Sequence, residues 1–215
     1  MRLYKKGDKK LLNAWAFYDW ANSVYPLVIS TAIFPIYFKS ITKGEPVNFL
    51  WFNSIENDAF IGYVSSFTFI ILAIISPILS GIADHTGYKK LFMQIFCYIG
   101  AISCILLYTF DLDNFDLGMI YYFFAVVGFW GSLVFYNSYL PDIANVDEQD
   151  ITSAKGYSLG YLGSIILLIF CLLLTQFPDY FNIDGKTQAV KISFVLVGIW
   201  WLVFSQYSFY YLPGK

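Results

Sequence analysis

A short polar stretch near the amino terminus holds the first residues that could do chemistry. Asp19 is the only charged residue within the six long apolar stretches of the chain, and Tyr18 precedes it. Asn22 and Ser23 share a helical face with Asp19, because residues three and four positions apart are neighbours on a helix. A carboxylate in hydrocarbon costs about 3 kcal/mol or more, so it normally faces a polar interior. The pattern predicts a substrate or proton pathway at Tyr18, Asp19, Asn22 and Ser23, and a hydrogen bond that packs two helices explains it equally well.

A second candidate site lies where one apolar stretch ends and the next begins almost at once. Asp84, Gly87, Lys89 and Lys90 fall in this connection. Gly87 can adopt the left-handed conformation that a reversal between helices needs. Asp84, at the end of its helix, can accept hydrogen bonds from the start of a neighbouring helix. A plain tight turn is the alternative.

Three glycines form a stripe in the fifth apolar stretch. Gly156, Gly160 and Gly163 are spaced by four and three residues, which puts them on one helical face. Such a stripe lets helices approach closely in lipid, and we expect it to serve packing rather than binding. Pro141 and Asp142 are expected to end the preceding helix.

The cysteines and the histidine do not suggest a metal or redox site. Cys97, Cys104 and Cys171 all lie inside apolar runs, where a cysteine is usually a small buried side chain. His85 is the one histidine of the chain. We therefore expect no metal site, no cofactor and no enzymatic activity, since an intramembrane enzyme would need a constellation of His, Cys or paired carboxylate side chains within the apolar stretches.

The composition indicates that these residues are positioned by membrane-spanning segments. Of 215 residues, 58% are hydrophobic and 13% are charged, whereas soluble domains carry about 25% charged residues. Aromatic residues reach 21%, which is typical of membrane segments with interfacial anchors. The chain has no basic stripe that would bind nucleic acid.

Six stretches are long enough to cross a bilayer, which takes about 20 mostly apolar residues. Backbone groups in lipid must bond internally, so the stretches are predicted to be helices. The sequence predicts an all-α polytopic membrane protein with residues 1–215 as a single six-helix domain. The predicted spans are residues 13–38, 59–83, 91–110, 117–140, 156–178 and 192–212.

Basic residues predict the orientation, because Lys and Arg are more frequent in cytoplasmic loops. One side of the predicted bundle carries Arg2, Lys5, Lys6, Lys9, Lys10, Lys89, Lys90, Lys155 and Lys215. The other side carries Lys39, Lys43, Lys186 and Lys191. Both termini are therefore expected on the cytoplasmic side.

The segment around Asp84 resembles a signature of the major facilitator superfamily. Between its second and third helices this superfamily has Gly-x-x-x-Asp-Arg-x-Gly-Arg-Lys. Asp84, Gly87 and Lys89 match it, whereas Ser80, His85 and Tyr88 stand for the first Gly and the two Arg residues. The resemblance implies a cytoplasmic gate at Asp84, Gly87, Lys89 and Lys90.

Three further segments are similar to one branch of that superfamily, the vacuolar amino-acid effluxers (autophagy-related 22-like), which includes many bacterial members. They are residues 15–23, residues 135–144, which contain Tyr136, Asn137, Pro141 and Asp142, and residues 156–163. They follow one another in the expected order over nearly the whole chain.

The resemblance implies a fold and a function. The superfamily has twelve helices in two halves, and each half consists of two inverted three-helix repeats. This chain would supply the amino-terminal half of a secondary transporter in a bacterial plasma membrane. The expected activity is export of a small solute, with amino acids as the leading class, by alternating access. The expected partners are the lipid bilayer, a small-molecule substrate, and a second six-helix half or a second copy of the chain. A truncated remnant or a membrane scaffold without transport activity is the alternative.

Overall fold

The structure, a computed structural model, describes residues 5–214 apart from the side chain of Asp84. Arg2 and Lys215, which were counted for the orientation, lie outside the described residues. Six helical segments are long and apolar enough to cross a membrane: Lys9–Thr42, Asn57–Ala83, Lys89–Thr109, Phe115–Ile143, Val146–Gln176 and Gly185–Tyr211. The prediction of an all-α polytopic membrane protein is confirmed, and each predicted span corresponds to one of these segments.

The first span consists of three helical pieces. It contains α1 (Lys9–Asn22), a π-helical segment (Tyr25–Ile33) and α2 (Phe34–Thr42). Pro26 and Pro35 stand at the starts of the second and third pieces. Because proline has no backbone N–H, each one removes a helical hydrogen bond, and the local repeat changes there.

The later spans are continuous helices joined by short connections. They are α3 (Asn57–Thr86), α4 (Lys89–Leu106), α5 (Phe115–Ile143), α6 (Val146–Gln176) and α7 (Gly185–Tyr211). One-turn 3₁₀ helices at Leu107–Thr109 and Pro178–Phe181 follow α4 and α6.

The connection between the first two spans contains a small β-hairpin that the sequence analysis did not predict. Strands β1 (Val47–Phe49) and β2 (Phe52–Ile55) pair antiparallel, with Phe49 opposite Phe52. The strands have three and four residues, too few to show alternation in the sequence. The Asp116 carboxylate at the start of α5 accepts a hydrogen bond from the Leu50 backbone N–H at 3.2 Å. The hairpin is therefore tied to the fourth span.

The expected end of the fourth span at Pro141 and Asp142 is wrong. Helix α5 continues to Ile143, and α6 begins at Val146 after a capping box formed by Asn145 and Glu148. A proline in the last turn costs the helix a single backbone hydrogen bond, which a 29-residue helix tolerates.

The backbones of α4 and α5 approach each other closely at Gly100 and Gly128. A Cβ on Gly128 would collide with the backbone of Gly100 and would lie 2.7 Å from the Phe96 carbonyl oxygen. A Cβ on Gly100 would collide with the ring of Trp201 in α7. These glycines set the spacing of the three helices at the centre of the bundle. No pattern in the sequence indicates them, because they belong to different helices and form no repeat.

Both described ends of the chain meet at one end of the bundle. The Gly7 N–H donates to the Ile143 carbonyl at 2.8 Å, and the Tyr139 hydroxyl donates to the Pro213 carbonyl at 2.7 Å. Lys90 Nζ donates to the Leu212 carbonyl at 3.1 Å. We call this the Lys89 end and call the opposite end, which carries β1 and β2, the hairpin end.

Two helices have large faces that no other described helix covers. Along α3 the exposed side chains include Tyr63, Phe67, Ile70, Ile74 and Ile78. Along α6 they include Tyr157, Tyr161, Leu162, Ile165 and Ile169. In the hydrocarbon, such faces contact lipid or another set of helices.

The Gly128→Ala variant is expected to lower the free energy of unfolding by about 1–3 kcal/mol, because overpacking forces α4 and α5 apart. Gly81→Ala in α3 is the matched control. A Cβ there has no atom within 4 Å, so the substitution should only raise helix propensity. Denaturation in detergent micelles, followed by tryptophan fluorescence, would measure both. Equal stabilities of the two variants would contradict the close approach.

Candidate functional site

Asp19 is buried between three helices. Its Oδ2 atom accepts a hydrogen bond from the Tyr136 hydroxyl of α5 at 2.9 Å, and the residue is 7% exposed. The Trp15 indole N–H donates to the Tyr136 backbone carbonyl at 2.8 Å. The rings of Trp15 and Tyr136 also stack, with centroids 4.3 Å apart and planes 9° apart. Trp15 therefore holds Tyr136 in the position from which it binds the carboxylate.

The glycine stripe of α6 covers this polar face of α1. A Cβ on Gly156 would lie 2.5 Å from Asp19 Oδ2 and 3.2 Å from the Tyr136 hydroxyl. A Cβ on Gly160 would lie 2.6 Å from Ser23 Oγ. The stripe does pack closely, as the spacing indicates, and what it packs against is the carboxylate and hydroxyl that the sequence analysis singled out. Any larger residue at position 156 would displace Asp19 or Tyr136.

The four predicted pathway residues do not all point the same way. Asp19 and Ser23 face α6. Tyr18 is fully buried on the other side, where its ring lies 5.2 Å from that of Tyr136 and 5.9 Å from that of Phe209 in α7.

Asn22 is 1% exposed. Its Oδ1 atom accepts a hydrogen bond from Ser23 Oγ at 3.3 Å. Its amide nitrogen has no hydrogen-bond partner among the described residues. A buried amide without a partner is uncommon in folded proteins.

A groove opens beside Ser23, between the first span and α6. Its volume is about 270 Å³. It is lined by hydroxyl-bearing and apolar side chains: Ser23, Pro26, Leu27 and Thr31 from the first span, and Tyr157, Tyr161 and Ser164 from α6. Of these, only Ser23 is a site residue predicted from the sequence. The spacing of Tyr157, Tyr161 and Ser164 by four and three residues was the available signal, but it runs beside the glycine stripe, which has the same period.

At the Lys89 end, the structure brings together residues that are far apart in the sequence. Gly87 takes a left-handed conformation (φ 77°) between α3 and α4, and its N–H donates to the Ala83 carbonyl at 2.8 Å. Lys89 Nζ lies 2.8 Å from Asp142 Oδ2 in α5. The side chain of Asp84 lies outside the described residues. The turn and the end of α5 are therefore joined by an ion pair.

Two further site residues predicted in the segment 135–144, Asn137 and Pro141, lie on the surface of α5. Asn137 is exposed although Tyr136, its neighbour in the sequence, is buried, and Pro141 is also exposed.

Among residues 5–214, no group of three or more His, Cys, Asp or Glu side chains could hold a metal ion.

Six apolar spans with a buried carboxylate at a helix crossing define a polytopic α-helical membrane protein. Residues 7–215 match the family described as vacuole effluxer Atg22 like, and the chain belongs to that family.

One relative of the chain is named as a transporter. It is 33% identical over 194 residues to the uncharacterised MFS-type transporter YxiO of Bacillus subtilis (strain 168), a match that covers 90% of this chain and 44% of the relative. It is 22% identical over 288 residues to autophagy-related protein 22 of Coccidioides immitis (strain RS), a match that covers 92% of this chain and 47% of the relative. The chain thus spans about half the length of the curated relatives it matches. No solved structure matches it.

The Tyr136→Phe variant is expected to lower the free energy of unfolding by about 1–3 kcal/mol, because the buried Asp19 carboxylate loses its hydrogen-bond donor. The phenylalanine ring keeps the stacking with Trp15, so the loss reports the hydroxyl. Tyr121→Phe on the same helix is the control, since none of the hydrogen bonds described for the structure involves its hydroxyl.

A double-mutant cycle with Asp19→Ala tests the pairing directly. We expect a coupling free energy of about 1 kcal/mol or more between positions 19 and 136. Strictly additive effects would refute the hydrogen bond as an energetic link between α1 and α5.

Proposed function

We propose that this chain is one half of a secondary active transporter that exports a small solute, with amino acids as the leading class, by alternating access. In this proposal residues 1–215 act as one six-helix unit. The membership of the vacuole effluxer Atg22-like family and the relative named as an MFS-type transporter support it. The observation that carries it is the buried carboxylate of Asp19 beside a hydroxyl-lined groove.

The position of Asp19 favours a functional role over a purely structural one. A helix contact in lipid needs no carboxylate, because small residues and dispersion forces are sufficient for it. The Gly156 and Gly160 contacts supply such packing already. A carboxylate costs free energy there, so its presence is best explained by a proton or a substrate group that it binds during transport. Tyr136 and Trp15 are assigned as its positioning residues.

The turn between α3 and α4 is proposed as the gate. Asp84, Gly87, Lys89 and Lys90 belong to it, and the Lys89–Asp142 pair couples it to α5. The Asp142 side chain is 54% exposed, and partly exposed ion pairs contribute only about 0–1 kcal/mol. An interaction of that size can break and re-form in each transport cycle.

We propose that a second six-helix half covers the open faces of α3 and α6, in preference to a second copy of the chain. The relatives are about twice as long as this chain, which supports a second half encoded with or beside the first.

The proposed location is a bacterial plasma membrane with the Lys89 end in the cytoplasm, since the described basic residues Lys5, Lys6, Lys9, Lys10, Lys89, Lys90 and Lys155 belong to that end.

The Asp19→Asn variant is expected to reduce solute transport at least tenfold while the protein still inserts and folds. The amide oxygen can accept the Tyr136 hydrogen bond, but the side chain cannot bind or release a proton. Membrane vesicles containing the chain, alone and together with the portion of the Bacillus subtilis relative that this chain does not cover, would be tested for transport of labelled amino acids. Asp179→Asn, in an exposed connection, is the control.

Two outcomes would count against the proposal. Unchanged transport in Asp19→Asn would remove Asp19 from the mechanism. Absence of transport by the wild-type chain in both settings would favour the alternative, a remnant or scaffold without transport activity.

A further inference from the structure

We infer that the groove between the first span and α6 binds a cationic group, and that this group is the ammonium end of the transported solute. The inference rests on the proposed transport function and goes beyond it, because it assigns one chemical end of the solute to one set of residues. Its basis is the balance of hydrogen-bond donors, acceptors and charge around the groove.

Two of the five hydroxyl groups that line the groove already donate their protons within the protein. Ser164 Oγ donates its one proton to the Gly160 carbonyl at 2.6 Å. Ser23 Oγ donates to Asn22 Oδ1 at 3.3 Å. A hydroxyl that has used its proton still offers a lone pair. A solute ammonium group, with three N–H donors, matches these two oxygens.

An acidic residue lies close to the groove. A Cβ on Gly160 would contact both Ser23 Oγ, at 2.6 Å, and Asp19 Cβ, at 3.3 Å, so Asp19 lies directly beside the lining residue Ser23. None of the residues that line the groove is Lys, Arg or His. An anion would therefore be repelled by the Asp19 carboxylate with no compensating cation among the lining residues, and a cation would be attracted to it in surroundings of low dielectric constant.

Two aromatic rings complete the site. Tyr157 and Tyr161 line the groove one helical turn apart, and each is 67% exposed. Tyrosine ring faces attract ammonium groups by about 0.5–2 kcal/mol, depending on desolvation. The two rings would accordingly favour an ammonium group over a neutral hydroxyl of similar size.

The test uses three small probes that share a four-carbon chain and differ in head group: butylamine, butyrate and butanol. The chain in lipid nanodiscs would be titrated with each, and binding followed by saturation-transfer NMR of the probe. Butylamine is expected to bind at least tenfold more tightly than the other two. Equal or tighter binding of butyrate or butanol would overturn the inference.

Variants assign the binding to the groove. The double variant Ser23→Ala/Thr31→Val should weaken butylamine binding about tenfold, and Thr31→Lys should abolish it and favour butyrate. Ser158→Ala is the control, because this exposed α6 hydroxyl donates to the Ala154 carbonyl and does not line the groove. Butylamine binding that none of the groove variants changes would show partition into lipid, and the inference would fail.

The two proposals can fail separately. If labelled amino acids are transported in an Asp19-dependent way but butylamine neither binds in the groove nor inhibits transport, the ammonium assignment is wrong and the transport function stands. If butylamine binds in the groove but no solute is transported, the transport function is wrong, and with it the assignment of the cation to a transported solute.

Discussion

The hydrogen bond between the Tyr136 hydroxyl and the Asp19 carboxylate is the interaction around which the other features are arranged. A carboxylate at this depth has no bulk water, so a partner must be held beside it. Trp15 holds that partner by stacking on it and by binding its backbone carbonyl. Gly156 makes the arrangement possible, since a Cβ at that position would occupy the space that Asp19 and Tyr136 need.

The irregular first span contributes to the same polar region. Two prolines divide it into α-helical and π-helical pieces, because neither can donate a backbone hydrogen bond. In hydrocarbon an irregular backbone is tolerated where it faces protein or lines a cavity. The groove beside Ser23 lies along this irregular stretch, so the packing of α6 on α1 and the break in the first span together create one polar surface within the membrane.

Much of the fold could be predicted because membrane spans depend on composition. All six spans were predicted, and each overlaps one long apolar helical segment of the structure. Their ends were predicted less well, as the continuation of α5 through Pro141 illustrates. The hairpin at Val47–Ile55 was missed because its strands are too short for a periodic pattern. For the site, Asp19 and Ser23 were recognised from their spacing, whereas Thr31, Tyr157, Tyr161 and Ser164 were not.

Some properties follow from the linear sequence: its hydropathy, its helical periodicity and its motif resemblance. They indicate the membrane class, the six spans, the family and the polar face of α1. Which residues oppose that face is a property of packing between segments more than 100 positions apart. Only the tertiary structure places Tyr136 and Gly156 on Asp19, and Lys89 on Asp142. The physical reason is that the spacing between helices depends on side-chain volumes on both partners at once, which no single segment specifies.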